Sequence, residues 1–227
     1  MVHNLKIVIS LGGKVLTKSL EGKHFKKYAD VLRKLKGKGH RVIVITGGGY
    51  ICRTYQAIAR ELHASKAALD SIGIIATRLN AATLMACLGD DAYPTVLTSA
   101  EQVKVNADAR ILVCAGNEIG HSTDFDSSII AEIVDADILI NATNVNGVYS
   151  SDPKKNPKAK KLNKLSYDEF QKIVIGVSQE PGDYDLFDLA AVQIIKRSKI
   201  KTVIIDASDP EEIVRAVEGK HDGTVIG

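Results

Sequence analysis

Cysteine is scarce in this sequence, and the three cysteines it contains lie far apart. Cys52, Cys87 and Cys114 form no Cys-x-x-Cys pair, and each stands among apolar residues with helical or strand periodicity. This distribution argues against a disulfide framework and against a cysteine metal centre. We expect buried free thiols in a reducing compartment.

A strong excess of charge and a long hydrophobic run are also missing. Lys and Arg total 30 against 27 Asp and Glu, and the net charge of +3 is too slight for a surface that coats nucleic acid. The basic run 154–161 has no interleaved aromatic residue, which predicts a solvated loop. No apolar run approaches membrane-spanning length, and the first residues lack the apolar core of a signal peptide. We expect a cytoplasmic protein with no nucleic-acid partner and no membrane contact.

Several catalytic motifs are absent as well. The chain has neither Gly-x-x-x-x-Gly-Lys-Ser/Thr nor Gly-x-Gly-x-x-Gly, so the P-loop and Rossmann fingerprints are excluded. It has no Gly-x-Ser-x-Gly elbow, and its six histidines are scattered without metal-ligand spacing. Hydrolytic chemistry is therefore disfavoured, and no metal site made of protein side chains is expected.

What the sequence does contain is a regular alternation of apolar strands and helices. Strands are predicted at 5–11, 41–46, 94–97, 111–115, 138–140, 202–206 and 223–226. Helices are predicted at 25–35, 49–62, 66–88, 99–105, from about 126 to 134, and at 166–175, 189–197 and 210–217. This alternation predicts an α/β protein with a mostly parallel sheet between helices. The 227 residues suffice for one such domain, or for two sublobes that share a sheet.

Three of the predicted strands end in turns that suit an anion. Gly12-Gly13-Lys14 follows the first strand and Gly47-Gly48-Gly49 the second, and each turn precedes a helix. Such turns present backbone N–H groups and a helix N-terminus to a phosphate. A third turn, 116–124, is rich in Gly, Ser and Thr, and Asp126 or Ser127 is expected to cap the helix after it.

The stretch 136–153 is the most informative part of the chain. Residues 138–140 form an apolar run typical of a central parallel strand. Polar and turn-forming residues follow it, namely Thr143, Asn144, Gly147, Tyr149 and Asp152. A purine could lie on the ring of Tyr149. The alternative is an ordinary strand and turn with a half-buried tyrosine.

Phosphoryl transfer between two phosphates must overcome the repulsion between anions. Two unit charges about 4 Å apart repel by about 4 kcal/mol at an effective dielectric of about 20. Lys14 could neutralise charge on the transferring group, and Arg53 could reach the same anion. Asp188 could orient a lysine or a magnesium-bound phosphate. Each has a plainer alternative: a solvated turn lysine, a surface arginine and a helix N-cap.

Taken together, these motifs resemble those of the amino acid kinase superfamily. In chain order they are Gly12-Gly13-Lys14, Thr46-Gly-Gly-Gly49 with Arg53, Asp70-Ser-Ile-Gly73 with Thr77-Arg-Leu-Asn80, Gly120-His-Ser-Thr123, the segment 142–153, Asp188-Leu-Ala-Ala191 and Gly223-Thr-Val-Ile226. The resemblance thus extends over nearly the whole chain. Within the superfamily, the sequence is most similar to archaeal-type UMP kinases.

The resemblance implies a three-layer α/β/α sandwich around a mostly parallel sheet, formed by residues 1–227 as a single domain. The N-terminal part would bind mainly the acceptor, and the C-terminal part mainly ATP. It also implies ATP and Mg²⁺, direct in-line transfer of the γ-phosphoryl group to UMP giving UDP for pyrimidine biosynthesis, and a homohexamer built as a trimer of dimers. No general base is required, because the acceptor phosphate is already a nucleophile once its charge is neutralised.

Carried over residue by residue, the resemblance implies two nucleotide sites and a catalytic pair. The catalytic pair is Lys14 and Asp188. ATP would contact Ser10, Leu11, Gly12, Gly13, Lys14, Gly49, Arg53, Thr143, Asn144, Tyr149 and Asp152. UMP would contact Gly48, Asp70, Asn117, Glu118, Ile119, Gly120, His121, Ser122 and Thr123. Asp70 suits the ribose hydroxyls, and the 117–123 turn suits the base and phosphate. For His121, the alternative is a loop histidine that contacts backbone.

Three departures from the family pattern leave alternatives open. Ser10 stands where relatives often carry Lys or Asp, Asn146 stands where Asp is usual, and Asp188 precedes Leu rather than Pro. An isopentenyl phosphate kinase is an alternative with the same fold. A non-catalytic nucleotide-binding or storage assembly is an alternative from another class.

Overall fold

The computed structural model describes residues 4–106, 111–151, 153, 156–176 and 186–227. Asp152 of the expected ATP site lies outside these residues, as do 154 and 155 of the basic run.

The strands are β1 (Lys6–Leu11), β2 (Arg41–Thr46), β3 (Leu112–Cys114), β4 (Ile138–Thr143), β5 (Val148–Tyr149), β6 (Lys161–Leu162), β7 (Lys164–Leu165), β8 (Thr202–Asp206) and β9 (Thr224–Ile226). The helices are α1 (Gly13–Leu16), α2 (Gly22–Gly37), α3 (Gly49–Glu61), α4 (Lys66–Leu88), α5 (Ala100–Val105), α6 (Thr123–Ile133), α7 (Tyr167–Gly176), α8 (Leu189–Ser198) and α9 (Glu211–Val217).

One seven-stranded sheet has the order β3-β2-β1-β4-β8-β9-β7. The five strands from β3 to β8 are parallel, whereas β9 runs antiparallel to β8 and parallel to β7. Ile9 of β1 stands opposite Val44 on one side and Ile140 on the other. The expected mostly parallel sheet is confirmed, and β4 is a central strand as predicted.

Helices cover both faces of the sheet. Ile7, Ile9 and Leu11 of β1 point into a core shared with α2, α4 and α9. Val8 of the same strand points into a second core shared with α6, α7 and α8. Because both faces are buried, β1 reads as an unbroken apolar run rather than as an alternating pattern. The three-layer α/β/α fold is therefore confirmed.

Two details of the predicted secondary structure are wrong. No strand forms at the described residues 94–97. An isolated bridge joins Leu97 to Cys114 of β3, and a second joins Ala92 to Ile111, just before β3. Pro94 lies between these bridges and has no N–H for a continuous ladder. The predicted caps of α6 are also wrong, because Ser122 caps it by accepting from the N–H of Phe125 at 3.1 Å.

The cysteines are less uniformly buried than expected. Cys114 of β3 is buried, but Cys52 of α3 and Cys87 of α4 are only partly buried. Burial raises the pKa of the Cys52 thiol, with Arg53 and Arg60 acting in the opposite direction. Cys52 therefore belongs to a partly open surface rather than to the core.

Helix α4 is apolar over a longer stretch than we expected, since no apolar run of membrane-spanning length was predicted. Among the described residues, α4 with its following turn, Lys66–Asp91, is the one helix long and apolar enough by length and composition to cross a membrane. A third of its most apolar window is buried inside the chain. Ala81 and Leu84 pack into the core, whereas Ile75 and Leu79 are exposed. Apolar side chains thus lie both on the side of α4 that faces the core and on the side that faces solvent.

Candidate active site

The glycine turns after β1 and β2 are in direct backbone contact. The Gly12 N–H donates to the carbonyl oxygen of Ala142 at 2.8 Å, which joins the β1 turn to the end of β4. A Cβ atom on Gly13 would lie 2.1 Å from the backbone nitrogen of Gly49. Gly49 itself has φ of +64°, in the left-handed region. Only glycine fits at both positions, so the two turns form one continuous backbone surface.

Side chains of α4 hold the β2 and β3 turns in place. The buried Asn80 donates through Nδ2 to the carbonyl oxygens of Gly47 at 2.8 Å and Gly48 at 3.1 Å. The Thr77 hydroxyl accepts from the N–H of Gly116 at 3.0 Å. These contacts give Thr77 and Asn80 a structural role, because they hold the turns after β2 and β3 against α4.

A cleft of about 390 Å³ lies between α3, α4 and the 117–123 turn. Its lining includes seven of the nine residues expected to contact the acceptor, together with the expected catalytic aspartate: Gly48, Asp70, Glu118, Gly120, His121, Ser122, Thr123 and Asp188. The other two expected acceptor residues, Asn117 and Ile119, do not line this cleft. Asn117 lines an adjoining cavity of about 190 Å³, and the side chain of Ile119 is exposed.

Asp188 is both the N-cap of α8 and a wall of the cleft. Its Oδ1 accepts from the N–H groups of Ala190 at 2.7 Å and Ala191 at 3.4 Å. Its Oδ2 accepts from the Ser122 hydroxyl at 2.6 Å. The N-cap interpretation is therefore correct, and these hydrogen bonds fix the carboxylate in the wall of the cleft.

Three residues of the site, Asp124, Cys52 and Gln56, were missed by the sequence interpretation, although Ser10, the partner of Asp124, was expected to contact ATP. Ser10 donates through Oγ to Oδ1 of Asp124 at 3.0 Å, which joins the end of β1 to the first turn of α6. No sequence pattern pairs two residues so far apart in the chain. Cys52 and Gln56 also line the cleft, and here a signal existed. They follow Gly48 at intervals of four residues, which places all three on one face of α3.

The described residues among those expected to bind ATP lie at the ends of β1 and β4 or in the segments that follow β1, β2 and β4. Lys14, in α1, and Arg53, in α3, are exposed to solvent. Thr143 is partly buried at the end of β4, and its carbonyl oxygen accepts from the N–H of Ala207 at 2.7 Å. Tyr149 is partly buried in the short strand β5. Ser10 and Leu11 are buried, and Asn144 is exposed.

Asn146 has a specific partner in this chain. Its Nδ2 donates to Oδ2 of Asp222 at 2.9 Å, and Lys161 forms an ion pair with the same carboxylate. These two contacts hold the pKa of Asp222 below its usual range. An aspartate at 146 could not donate this hydrogen bond and would repel Asp222. The asparagine at 146, where the family usually has aspartate, is thus suited to its neighbour Asp222.

One carboxyl group beside the acceptor turn is partly desolvated. Oδ2 of Asp126 accepts from the N–H of Asn117 at 3.3 Å and faces the cavity next to the cleft. Burial raises the pKa of Asp126, and the hydrogen bond from Asn117 only partly opposes that effect. Glu118 and Asp188 raise it further, whereas His121 lowers it.

Comparisons with known proteins agree with this geometry. The chain matches the model of the amino acid kinase family over residues 6–206. It is 42% identical over 223 residues to the uridylate kinase of Methanothermobacter thermautotrophicus, covering 98% of this chain and 99% of that protein. It is 44% identical over 223 residues to the uridylate kinase of Methanoculleus marisnigri, covering 97% and 95%. The crystal structure of uridylate kinase from Archaeoglobus fulgidus superposes with a TM-score of 0.88 at 40% identity, covering 98% of this chain and all of that one.

Replacement of Asp126 by Asn should change stability in a pH-dependent way. Because the pKa of Asp126 is raised in the folded state, the contribution of this residue to the free energy of unfolding should fall as pH rises above about 4. Asp126→Asn keeps an acceptor for the Asn117 N–H and should be more stable than wild type at pH 7, but not near pH 4. Urea unfolding at the two pH values measures this difference. The raised pKa of Asp126 would be contradicted if the variant were less stable than wild type at pH 7. It would also be contradicted if the free energy of unfolding changed by the same amount at both pH values.

Proposed function

The chain belongs to the amino acid kinase family, and we propose that it transfers the γ-phosphoryl group of ATP directly to UMP, giving UDP. The observation that carries this proposal is the cleft that gathers Gly48, Asp70, Asp188 and the 117–123 turn beside the Lys14 turn. The acceptor is inferred from uridylate kinases that are about 40% identical over nearly their whole length. We place the reaction in pyrimidine nucleotide biosynthesis in the cytoplasm.

The acceptor nucleotide is proposed to occupy the cleft. Gly48 is the N-cap of the 13-residue helix α3, so a phosphate there would meet the positive end of the helix dipole. The N–H of Tyr50 in the first turn is already held by the Thr17 hydroxyl at 2.8 Å, so other N–H groups of the turn would bind the phosphate. Asp70, in the first half of α4, is suited to accept hydrogen bonds from the ribose hydroxyls. The 117–123 turn would then surround the base.

ATP is proposed to lie at the ends of β1 and β4. The N–H groups of the Gly12-Gly13 turn would bind its phosphates, and Tyr149 would lie against adenine. Thr143 and Asn144 offer hydrogen-bonding groups beside the ribose or phosphates. Asp152 is assigned to ATP by the resemblance alone. The acceptor would thus lie mainly on the N-terminal part of the single domain, and ATP mainly on the C-terminal part.

Catalysis is proposed to consist of positioning and charge neutralisation. Lys14 follows the two glycines directly and would balance the charge that develops on the transferring phosphoryl group. The fixed carboxylate of Asp188 would orient this ammonium group. The acceptor phosphate attacks without a general base, so the chain need only hold the two anions in line.

Mg²⁺ is expected to accompany ATP rather than to occupy a protein cage. Within the part of the chain that the structure describes, no three His, Cys, Asp or Glu side chains form a metal-binding group. Mg²⁺ in phosphoryl-transfer sites is usually held by substrate phosphates and water with one or two carboxylates. Asp124 and Asp188 fit that smaller requirement. The ion would neutralise phosphate charge.

The alternative acceptors fit the cleft less well. An isopentenyl chain needs an apolar channel, whereas Asp70, Glu118, His121, Ser122 and Thr123 give this cleft many polar groups. A non-catalytic assembly would have no need for a lysine after the glycine turn together with a fixed carboxylate at the cleft. These observations favour the nucleotide kinase.

A panel of acceptors in one ADP-release assay tests the proposal. UMP should be turned over with ATP and Mg²⁺, and isopentenyl phosphate should not. Lys14→Ala should lower kcat by roughly 10²-fold or more, since it removes a charge that acts in the transition state. Lys18→Ala, at an exposed lysine just beyond α1, is the matched control and should retain activity. Turnover of another acceptor but not UMP, or release of no more than one ADP per subunit, would refute the proposal.

A homo-oligomer is proposed to form through the outer face of α3 and α4. None of the residues of α3 that the structure describes is fully buried. Tyr55 and Ile58 on α3, Leu62 at its C-cap, and Ile75 and Leu79 on α4 are large apolar side chains left at least 49% exposed. Such a surface on adjacent helices is typical of an interface. A second copy of the chain would cover it, and the hexamer is the assembly that the resemblance implies.

Light scattering tests this interface directly. Wild-type protein should have a mass of at least twice 24.5 kDa, the mass of one chain. Ile58→Glu should lower this mass, because a charge would be buried at the contact. Ile175→Glu, at an exposed isoleucine on α7, is the matched control and should leave the mass unchanged. A wild-type monomer, or an assembly unaffected by Ile58→Glu, would contradict this interface.

A further inference from the structure

The helix that carries Lys14 is too short to hold its own position. Helix α1 contains four residues, Gly13–Leu16. Helix nucleation is unfavourable at this length, and the last carbonyl groups of any helix have no partner within it. In α1 the carbonyl of Val15, the residue next to Lys14, has a long backbone contact, from the N–H of Lys18 at 3.4 Å. The position of Lys14 therefore depends in part on the side chains that hold this carbonyl.

Two side chains of α2 contact the Val15 carbonyl oxygen. Nε2 of His24 lies 2.8 Å from it. Because a carbonyl oxygen only accepts, His24 must donate through an Nε2–H group. The hydroxyl of Tyr28 lies 3.3 Å from the same oxygen. The two rings meet edge to face, with centroids 5.3 Å apart and planes at 73°, so each ring fixes the other.

Tyr28 also reaches the side of the site where ATP is proposed to bind. Its single O–H proton is shared between two carbonyl oxygens, with the shorter contact, 3.0 Å, to Ala207 in the turn after β8 and the longer one to Val15. The N–H of Ala207 in turn donates to the carbonyl oxygen of Thr143 at 2.7 Å. The Tyr28 side chain is 1% exposed, and burial raises the pKa of its hydroxyl, with Asp206 and Asp209 acting in the same direction. The hydroxyl therefore keeps its proton throughout the pH range of an enzyme assay.

We propose that His24 and Tyr28 are positioning residues of the transfer reaction, which fix α1 so that the Lys14 ammonium group is held against the transferring phosphoryl group. The inference rests on the proposed role of Lys14. Among the described residues that line the acceptor cleft, neither His24 nor Tyr28 is present, so both act through α1. A displacement of a reacting group by about 1 Å can lower a rate by about 10²-fold, which makes such an anchor consequential.

Steady-state kinetics of a small set of variants tests this role. His24→Leu and Tyr28→Phe should each lower kcat by roughly 5- to 30-fold, with KM for both substrates within about twofold of wild type. His24→Gln keeps an N–H donor and should retain most of the wild-type kcat. Because His24 acts through Lys14, His24→Leu should cause no further loss in a Lys14→Ala background.

Val174→Ala is the control for a loss of stability alone. Val174 of α7 is buried in the core on the opposite face of the sheet, and its replacement should leave kcat unchanged. Full kcat in His24→Leu, an equal loss in His24→Gln, or losses that add to that of Lys14→Ala would each overturn the proposal.

Failure of the proposed function would look different. The wild type is first assayed with UMP and the other phosphate acceptors, and the double-mutant cycle is then run with whichever acceptor is used. Turnover of another acceptor alone contradicts the UMP assignment but still tests the anchor. No transfer to any acceptor contradicts both.

Discussion

The backbone contact between the turns after β1 and β2 is the constraint on which the rest of the site depends. A Cβ atom on Gly13 would overlap the backbone of Gly49, so the two turns touch with no side chain between them. One turn leads directly to Lys14, and the other contains Gly48 at the acceptor cleft. Two phosphates bound at these turns would be adjacent, which is what a direct transfer between them requires.

The sheet supplies the rigidity that this contact needs. β1 pairs with β2 on one side and with β4 on the other, and helices bury both of its faces. The strand ends are therefore fixed relative to one another, and the functional groups can lie in the turns beyond them. Asn80 adds a further support, because it satisfies two carbonyl groups of the β2 turn from the neighbouring helix.

The sequence was most informative where local pattern and burial agree. The bounds of β2, α4 and β8 were predicted as observed, since each is a periodic or continuous apolar run that ends at a glycine, a cap or an acidic residue. The cap of α6 was missed although its hydrogen bond is local, because several residues after Ser122 also suit an N-cap, among them Asp126 and Ser127. Pairing such as that of Ser10 with Asp124 depends on the tertiary fold alone. Of the seven expected acceptor residues that line one cleft, Asp70 lies in α4 and the others lie in the segments after β2 and β3, whose place is set by the parallel sheet.

The most direct test of the central constraint is UMP-dependent ADP formation by three glycine variants. An added Cβ would meet open space at Gly22, the Ala142 carbonyl oxygen at 3.0 Å at Gly12, and the Gly49 nitrogen at 2.1 Å at Gly13. The account predicts wild-type kcat for Gly22→Ala, a reduced kcat for Gly12→Ala and the largest loss for Gly13→Ala. A Gly13→Ala variant that turns over UMP as fast as the wild type would contradict it.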